Sequence, residues 1–451
     1  MKKKVLILYE NDVDKEKIKY VFDFIFGLPL NKYEVVVKYC NLKDFKEENT
    51  EKDIVINYSN EKIAIATVQI VVKDILQSLK SYQDVLKLKS QFYTFENEKL
   101  YGITKCSKSE KIKFIDDGTI NLDVVSTFFF HLSRTEEYYC SDDLKDGHKR
   151  MLAESQFLVK NSIERLPVLD HISAALLKSI DFYKEIKTMK IMSHDIDVLI
   201  KFPSFYKYLR GVARILFKKK NFKGSIFTFT KYYLKSLIGA PDPFDTFSWL
   251  FHENFFDKKI VFFMSGGTTQ YDNLYDIEDP TLKKVFKNAL NKGYEIGLHP
   301  SYAAFNDEKQ FVKEKKRLEG VIQQKITSSR QHILHYDITE TPKVLEESGI
   351  ENDYTLGFQD RIGFRTGTGF DYYLWNNLKN KRLDVKETPL VIMDGCLLIE
   401  AKYSVKKAEE IFNEFYKNNA LNTKITYNFH NSIFDPVLLD DTALKHFYLK
   451  L

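Results

Sequence analysis

The chain has 451 residues, which is too long for one ordinary domain and predicts two or three. Hydrophobic residues make up 44% and charged residues 29%, a composition that permits a sizeable core and disfavours global disorder. The 68 basic and 63 acidic residues nearly balance, so the charge does not indicate nucleic acid as the main partner.

The N-terminus and the cysteines indicate the compartment. The apolar run in "MKKKVLILYEND" is shorter than the roughly 7–15 residues of a secretory signal, and we interpret it as a first β-strand. No apolar stretch approaches the roughly 20 residues of a membrane span. Cys40, Cys106, Cys140 and Cys396 form no C-x-x-C pair, which favours reduced thiols. We therefore expect a cytoplasmic protein.

Residues 1–110 contain short apolar runs such as "KVLILY" and "DIVINYS", which predict a small, separate N-terminal α/β domain. This part contains no histidine and no glycine-rich phosphate loop, which favours an accessory binding or scaffolding role. Residues 111–187 are predicted to be a bridging helical segment. Its polar residues suit a salt-bridge network between domains better than a second site; they are Arg134, Glu136, Glu137, Asp146, His148, Lys149 and Arg150.

From residue 188 onward, strand-like runs alternate with amphipathic helical segments. The runs include "TMKIMSHDID", "KIVFFMSGG", "YEIGLHPS" and "KITYNFHN", and the helical segments include "DPTLKKVFKNALNKG". This alternation predicts a parallel α/β sheet or barrel over residues 188–451. Polar residues gather where the apolar runs end, which is where parallel strands of such folds present their active sites.

The strand end "SHDID" places two carboxylates close together. Strand alternation points Asp195 and Asp197 to one side and His194 to the other, where a structural hydrogen bond is expected. Two like charges at this spacing repel unless a cation or a proton lies between them.

Other strand ends add histidines and an arginine. A lone histidine is more often structural than functional. Several histidines, carboxylates and an arginine at the strand ends of one domain are harder to explain by chance. Asp and His ligands suit Zn²⁺ or a similar ion, and a carboxylate and a histidine off the metal can act as base and acid. The set therefore suits hydrolysis of an amide or ester. Its members are His299, Arg330, His332, His335, Asp394 and His430.

From about residue 188 to 435 the chain resembles the NodB-like polysaccharide deacetylases (carbohydrate esterase family 4), in particular an uncharacterised subgroup with an extra N-terminal domain. The resemblance implies a distorted (β/α)7 barrel. "SHDID" matches the first family motif, which implies Asp195 as general base and Asp197 as metal ligand. "EIGLHPSY" matches the second, which implies His299 as a ligand. "TYNFHNS" and "IMDG" imply His430 as general acid, oriented by Asp394.

The same resemblance implies further site residues. "SSRQHIL" falls at the family's arginine motif, so Arg330 would hold Asp195. Substrate-binding roles are expected for four residues near these motifs, namely Ser301, Tyr302, Arg361 and Arg365.

One departure from the family concerns the third metal ligand. The second motif normally has another histidine four residues after the first, and here that position is Ala303. Strand alternation from Arg330 favours His332 as the replacement, with His335 in reserve. If neither serves, the domain could be a degenerate, non-catalytic carbohydrate-binding relative.

Residues 201–239 form a basic insertion with ten Lys or Arg and no acidic residue, including the run Lys218, Lys219 and Lys220. A solvated helical face and a dock for an anionic group are equally compatible with this pattern. The anionic group would be the nucleotide or lipid pyrophosphate of a carrier-linked substrate, or an acidic membrane surface.

Together the motifs predict a metal-dependent hydrolase, most simply a zinc enzyme, that removes acetyl groups from N-acetylated sugars of a surface polysaccharide or its precursor. Hydrolysis of another small C–N amide bond is the enzymatic alternative. We expect a carbohydrate substrate, no nucleic acid, and possible association with a membrane surface through residues 201–239.

Overall fold

The computed structural model describes residues 2–46, 54–107, 111–202, 204–218, 222–252, 255–272, 275–437 and 439–451. It has a mixed α/β architecture, as predicted. Two units of sheet structure follow each other along the chain: a six-stranded sheet near the N-terminus and a nine-stranded sheet after residue 188. Lys219 and Lys220 of the basic run lie outside the described residues.

The N-terminal sheet has the strand order β2-β1-β3-β4-β9-β8, and a small three-stranded sheet, β6-β5-β7, accompanies it. The strands of these two sheets are β1 (Lys2–Tyr9), β2 (Glu34–Asn41), β3 (Ile54–Tyr58), β4 (Val68–Ile70), β5 (Lys89–Phe95), β6 (Glu98–Thr104), β7 (Ile112–Lys113), β8 (Ile115–Asp116) and β9 (Thr119–Ile120). Its helices are α1 (Lys15–Gly27) and α2 (Tyr82–Leu86).

The predicted bridge is helical only in part. Strands β7, β8 and β9 occupy its first residues, and β8 and β9 extend the N-terminal sheet because β9 pairs with β4. The helices that follow are α3 (Val124–Leu132), α4 (Thr135–Tyr138), α5 (Phe157–Lys160) and α6 (Val168–Ser179).

The nine-stranded sheet has the order β15-β16-β14-β13-β12-β11-β10-β18-β17 and is parallel except for the β15–β16 pair. Its strands are β10 (Met189–Ile196), β11 (Lys258–Phe263), β12 (Glu295–Leu298), β13 (Ser328–Ser329), β14 (Asn352–Asp353), β15 (Tyr372–Asn376), β16 (Lys381–Glu387), β17 (Ile392–Met393) and β18 (Lys424–Asn428). The central strand β10 is buried from Ile191 to Ile196, as expected of a parallel strand covered on both faces.

Backbone hydrogen bonds bring the two ends of this parallel sheet together. The Thr388 and Leu390 N–H groups donate to the carbonyls of Asp353 and Leu356, and the Val391 N–H donates to that of Thr426. The segment leading into β17 therefore lies between the chain after β14 and strand β18.

The helices of this part pack through apolar stripes. In α10, Leu282, Phe286 and Ala289 are buried at helical spacing, and the Asp279 carboxylate caps the first turn. The helices are α7 (Phe205–Lys218), α8 (Phe222–Leu237), α9 (Phe247–Leu250), α10 (Pro280–Asn291), α11 (Glu308–Ile322), α12 (Thr341–Glu347), α13 (Asp394–Glu400), α14 (Val405–Asn418) and α15 (Asp441–Tyr448). No helix among the described residues is long and apolar enough to cross a membrane.

The N-terminal part, predicted to be a separate domain, packs against the nine-stranded sheet through buried side chains. Buried residues of both parts belong to one hydrophobic cluster. At the contact, the Tyr20 ring lies 5.0 Å from Trp375 of β15, and its hydroxyl donates to the carbonyl of Tyr373 at 2.6 Å. Large aromatic side chains on α1 and α3 are buried by this contact, which explains why the two parts share a core.

Candidate metal centre

Asp197, His299 and His332 meet at the carboxyl edge of the parallel sheet. Asp197 follows β10, His299 follows β12, and His332 follows β13, so parallel strands deliver all three to one edge. One possible ligand atom of each lies within 4.8 Å of those of the others. Asp197 Oδ1 is 3.2 Å from His299 Nε2 and 3.7 Å from His332 Nδ1.

Backbone carbonyls fix the tautomers of both histidines. His299 Nδ1 lies 2.6 Å from the Arg330 carbonyl oxygen, and His332 Nε2 lies 2.7 Å from that of Tyr271. A carbonyl only accepts, so the facing nitrogen must carry the proton. The other nitrogens of the two rings, His299 Nε2 and His332 Nδ1, then face each other across 3.0 Å. This arrangement leaves a site for a cation.

The charges at this cluster favour a cation. Burial opposes ionisation of Asp197, but the neighbouring His299 and the positive charge of His430 hold the pKa of Asp197 well below its usual range. Burial lowers the pKa of His332, which keeps that ring neutral. Burial also opposes protonation of His299, but the charges of Asp195 and Asp197 raise the pKa of His299, so its surroundings favour a positive charge. Asp197 Oδ1 is buried and accepts no hydrogen bond. Two imidazoles and one carboxylate form a donor set that fits Zn²⁺.

Asp195 is held from both sides. Arg330 Nη1 donates to its Oδ1 at 2.9 Å, and Asn428 Nδ2 donates to its Oδ2 at 2.8 Å. Arg330 is itself fixed, because its Nη2 donates to Ser193 Oγ and its guanidinium lies 4.7 Å from the centre of the Phe262 ring. Burial opposes ionisation, but the Arg330 charge keeps the pKa of Asp195 below its usual value. Asp195 is therefore a buried, ionised carboxylate.

His430 completes the cluster on the other side of the carboxylates. Its Nδ1 lies 2.9 Å from Asp394 Oδ1, and its backbone N–H donates to Asp394 Oδ2 at 2.6 Å. Its Nε2 lies 3.7 Å from Asp195 Oδ2 and 3.8 Å from Asp197 Oδ2. Burial opposes protonation, but the charge of Asp394 and the hydrogen bond to it raise the pKa of His430 to about 10. His430 is thus a protonated imidazolium at neutral pH.

Two residues expected to bind substrate have other contacts. The Ser301 hydroxyl and backbone N–H both donate to the Glu314 carboxylate, and Ser301 is buried. Tyr302 lies at the rim of the site, where its hydroxyl is 3.0 Å from His148 Nδ1. The reserve ligand His335 stacks on Tyr302 with ring centres 4.3 Å apart, outside the ligand cluster.

Arg365 differs from the expectation most clearly. It is buried, and its guanidinium donates to Glu137 Oε1 and to the Gly357 carbonyl rather than facing the site. Arg134 donates to the same carboxylate oxygen and also to Glu136 Oε1. Three of the residues predicted to form a salt-bridge network between the two parts therefore pair here. Arg361 pairs with its neighbour Asp360.

Several residues at the site were not predicted to take part. Asn428 donates to Asp195. Its position two residues before His430, at the end of the same strand, could have indicated this role. Tyr271 supplies the carbonyl that orients His332, and its ring lies 4.5 Å from that of Tyr302. Arg150 donates to the carbonyl of Ile333, next to His332.

His194 has the structural role predicted for it. Its Nδ1 lies 2.8 Å from the Phe429 carbonyl oxygen and its Nε2 lies 3.2 Å from the Tyr448 hydroxyl, inside the core. Strand alternation thus separates His194 from Asp195, and the two carboxylates share one strand end because Asp195 is paired with Arg330.

In comparisons with known proteins, different parts of the chain resemble different proteins. Residues 6–184 match the model of a family of unknown function, DUF7033, which spans less than half of the chain. No curated protein matches the chain.

Solved structures that resemble the chain include a protein from Mycobacterium smegmatis described as a polysaccharide deacetylase, at 16% identity and a TM-score of 0.31, covering 59% of this chain and 84% of that one. The polysaccharide deacetylase Bc1974 from Bacillus cereus is 11% identical, with a TM-score of 0.27 and coverage of 59% and 88%. A carbohydrate esterase family 4 pseudoenzyme from Bacillus anthracis is 10% identical, with a TM-score of 0.24 and coverage of 58% and 60%.

Proposed function

We propose that the protein is a metal-dependent hydrolase that removes acetyl groups from N-acetylated sugars of a surface polysaccharide or its precursor. The observation behind this proposal is the cluster of Asp197, His299 and His332, whose possible ligand atoms face one another beside Asp195 and His430. The motif resemblance to NodB-like deacetylases, with their distorted (β/α)7 barrel, supplies the substrate class.

Asp197 Oδ1, His299 Nε2 and His332 Nδ1 would hold the metal, most simply Zn²⁺. A bound zinc ion would supply a Lewis acid for the acyl carbonyl and for the attacking water. The carbonyls of Arg330 and Tyr271 keep both imidazoles in the ligand tautomer before any metal arrives, which lowers the cost of assembling the site.

Asp195 and His430 supply the proton transfers. Asp195 is kept ionised by Arg330, so at neutral pH it can accept the proton of the attacking water. His430 is protonated and can donate its Nε2 proton to the departing amine nitrogen. Asp394 orients the ring by accepting from Nδ1, so that Nε2 points toward both carboxylates.

The rim of the site suits a carbohydrate. Tyr271 and Tyr302 lie side by side, and His148 contacts both rings at 5.3 and 5.6 Å between ring centres. Aromatic faces with a few polar groups are a common lining of small-molecule sites. The residues expected to contact the sugar are therefore Tyr271, Tyr302 and His148.

Acetate release from N-acetylamino sugars and their carrier-linked forms tests the proposal. Zinc-loaded protein should release acetate, and a chelator should stop the release until zinc is restored. A panel of other small amides tests the alternative C–N substrate in the same assay. The proposal fails if zinc-loaded protein releases acetate from none of the N-acetylated sugars.

A non-catalytic carbohydrate-binding protein is the second candidate, because Ala303 stands where the family has a ligand histidine. The presence of His332 in the cluster weakens this candidate, since three ligand atoms remain available. Metal analysis separates the two: sugar binding by protein that takes up no zinc would favour the non-catalytic function.

A further inference from the structure

Helices α7 and α8 expose apolar side chains on their outer surface. The exposed residues on α7 include Phe205, Tyr206, Leu209 and Leu216, and those on α8 and just after it include Phe227, Leu234, Leu237 and Ile238. Phe227 is 72% exposed and Ile238 is 84% exposed. We call these eight residues the outer apolar face.

Helical spacing collects these residues into stripes. Phe205, Leu209 and Leu216 lie four and then seven positions apart on α7, while Phe227, Leu234 and Ile238 lie seven and then four positions apart along α8. Residues at such spacings share one side of a helix. Each helix thus presents a continuous stripe rather than scattered apolar residues.

Apart from Phe205, whose ring contacts Tyr208 and Tyr233, the outer apolar face is not the surface that holds the hairpin of α7 and α8 together. A separate small core lies inside the hairpin, formed by Phe202, Ile215, Phe229 and Tyr233. Tyr208 and Tyr233 stack there with ring centres 4.1 Å apart. The hairpin therefore has two apolar surfaces, one of which is already filled by its own side chains. A soluble protein rarely exposes a second contiguous apolar surface without a partner.

The charge of the hairpin identifies the kind of partner. Residues 201–239 contain ten Lys or Arg and no Asp or Glu. Lys231 and Lys235 are exposed on α8, in the same stretch as Leu234 and Ile238. Apolar side chains flanked by cations are the pattern of helices that lie in the interface of a bilayer with anionic headgroups.

We infer that the α7–α8 hairpin docks this protein on the surface of an anionic lipid bilayer, with the outer apolar face inserted among the lipids. A soluble anion such as a nucleotide would account for the lysines but not for eight exposed apolar side chains. A bilayer surface accounts for both.

The hairpin is joined firmly to the candidate site. The backbone N–H groups of Lys201 and Phe202 donate to the Asp242 carboxylate, and the Lys201 ammonium pairs with Asp435. These contacts join the segment before the hairpin to the segment after it, and both to the loop after β18, the loop that also carries His430. If the proposed function holds, docking would bring the candidate metal centre to substrates carried on a membrane lipid.

Vesicle sedimentation of the full-length protein tests the docking without any assay of activity. Wild-type protein should sediment with phosphatidylglycerol vesicles and much less with phosphatidylcholine vesicles. The double variant Leu234→Glu/Ile238→Glu should lose binding, because it places charge in the apolar face. Lys231→Glu/Lys235→Glu should weaken binding by more than about tenfold, since each basic residue near an anionic surface contributes about a factor of five. Salt should weaken wild-type binding.

The matched control is Phe255→Glu/Leu378→Glu, which makes the same kind of change at two exposed apolar residues outside the hairpin. It should bind like wild type. The inference is overturned if wild-type protein does not bind phosphatidylglycerol vesicles, or binds both lipids equally. It is also overturned if Leu234→Glu/Ile238→Glu binds like wild type, or if that variant instead abolishes a dimer seen by sedimentation in solution. Loss of acetate release with intact vesicle binding would count against the proposed function alone.

Discussion

At the scale of single residues, His332 decides whether the cluster can hold a metal. Asp197 and His299 alone offer two ligand atoms, and His332 Nδ1 is the third. We expect His332→Ala to weaken zinc binding by more than about 100-fold, since even loss of a residue that only supports a ligand typically costs about 10–100-fold. Competition with a chromophoric chelator measures this change.

His335→Ala is the matched control for this substitution. His335 is also buried and lies three positions further on, but it stacks on Tyr302 and Phe305 rather than facing Asp197. It should keep zinc. Full zinc retention by His332→Ala would contradict the assignment of His332 as the third ligand.

Asp195→Asn and His430→Ala should separate catalysis from metal binding. Neither side chain belongs to the three-ligand cluster, so both variants should keep stoichiometric zinc. Loss of a general acid or base should lower the rate of acetate release by about 10²–10⁴-fold. Metal analysis and acetate release on the same preparations check the prediction. Loss of zinc from either variant would show that the side chain holds the metal or its ligands.

His332 was predicted as a metal ligand on the assumption that it continues the strand of Arg330, and this local structure was wrong. The expectation was strand alternation from Arg330, but β13 ends at Ser329 and His332 begins a short helical turn. The two residues after His332, Ile333 and Leu334, take left-handed backbone conformations. Neither the composition nor the spacing of apolar residues indicates such a turn, since β-branched residues rarely adopt it. By contrast, Asp195 lies near the end of an apolar strand and Asp197 and His299 follow such strands, which sequence patterns do predict.

At the scale of elements, the strands that were missed are those without an apolar run. Strand β14 has only two residues, and "KRLDVKE" of β16 alternates charged with apolar residues. In β16 the inward positions are Leu383, Val385 and Glu387, so a carboxylate occupies a core position. Glu387 lies in the core because β16 pairs with β14. The two strands are more than thirty residues apart in the chain, so the pairing cannot be seen in a local sequence pattern.

The β14–β16 pair predicts a loss of stability at alkaline pH. Asp353 and Glu387 are directly paired across the two strands and are both fully buried. Burial and the neighbouring Asp353 charge raise the pKa of Glu387 above its usual value of 4.5, and burial raises the pKa of Asp353 to about 6. The folded protein therefore keeps a proton on this pair that the unfolded chain releases above about pH 4.5.

Because the folded-state pKa values are raised, the stabilisation is complete below the unfolded-state values and declines as the pH rises toward the folded-state values. As the pH rises from about 4.5 toward the raised pKa of Glu387, the wild type should lose up to about 1.4 kcal/mol of unfolding free energy per pH unit for one proton. Glu387→Gln should reduce this slope, because the amide stays neutral. Denaturant unfolding at several pH values measures the slopes.

Glu351→Gln is the control, since Glu351 is the exposed residue just before β14 and pairs with Lys325. It should keep the wild-type slope. Equal slopes for the wild type and Glu387→Gln would show that the pair does not retain a proton at alkaline pH.

At the scale of the whole molecule, the N-terminal part is built into the candidate site. Its residues share the hydrophobic cluster of the nine-stranded sheet, and its Glu137 forms ion pairs both with Arg134 and with Arg365. Apolar runs in the sequence predict where such elements begin, but they do not predict which of them pack together. For this reason the sequence alone led us to expect a separate accessory domain.

Arg150 links the two parts next to the candidate metal centre. It lies in the region matched by DUF7033, and its Nη1 donates to the Ile333 carbonyl in the turn after His332. Asp146 holds the guanidinium through a bond from Nε at 2.8 Å. Ile333 has φ 59° and ψ 18°, and a non-glycine residue in such a conformation costs about 1–3 kcal/mol. The Arg150 contact therefore stabilises a strained turn that positions a ligand.

We expect Arg150→Ala to weaken zinc binding by about 10–100-fold, although Arg150 is not a ligand, because the turn can relax and move His332 away from His299. Arg150→Lys, which keeps one cationic donor, should recover part of the affinity. Arg165→Ala is the control: Arg165 also connects the two parts, through its ion pair with Glu400. Chelator competition measures zinc affinity, and thermal unfolding of the metal-free protein reports any general loss of stability. A purely structural role for Arg150 would lower the unfolding temperature and leave zinc affinity unchanged. That result would mean that His332 keeps its position without the N-terminal part.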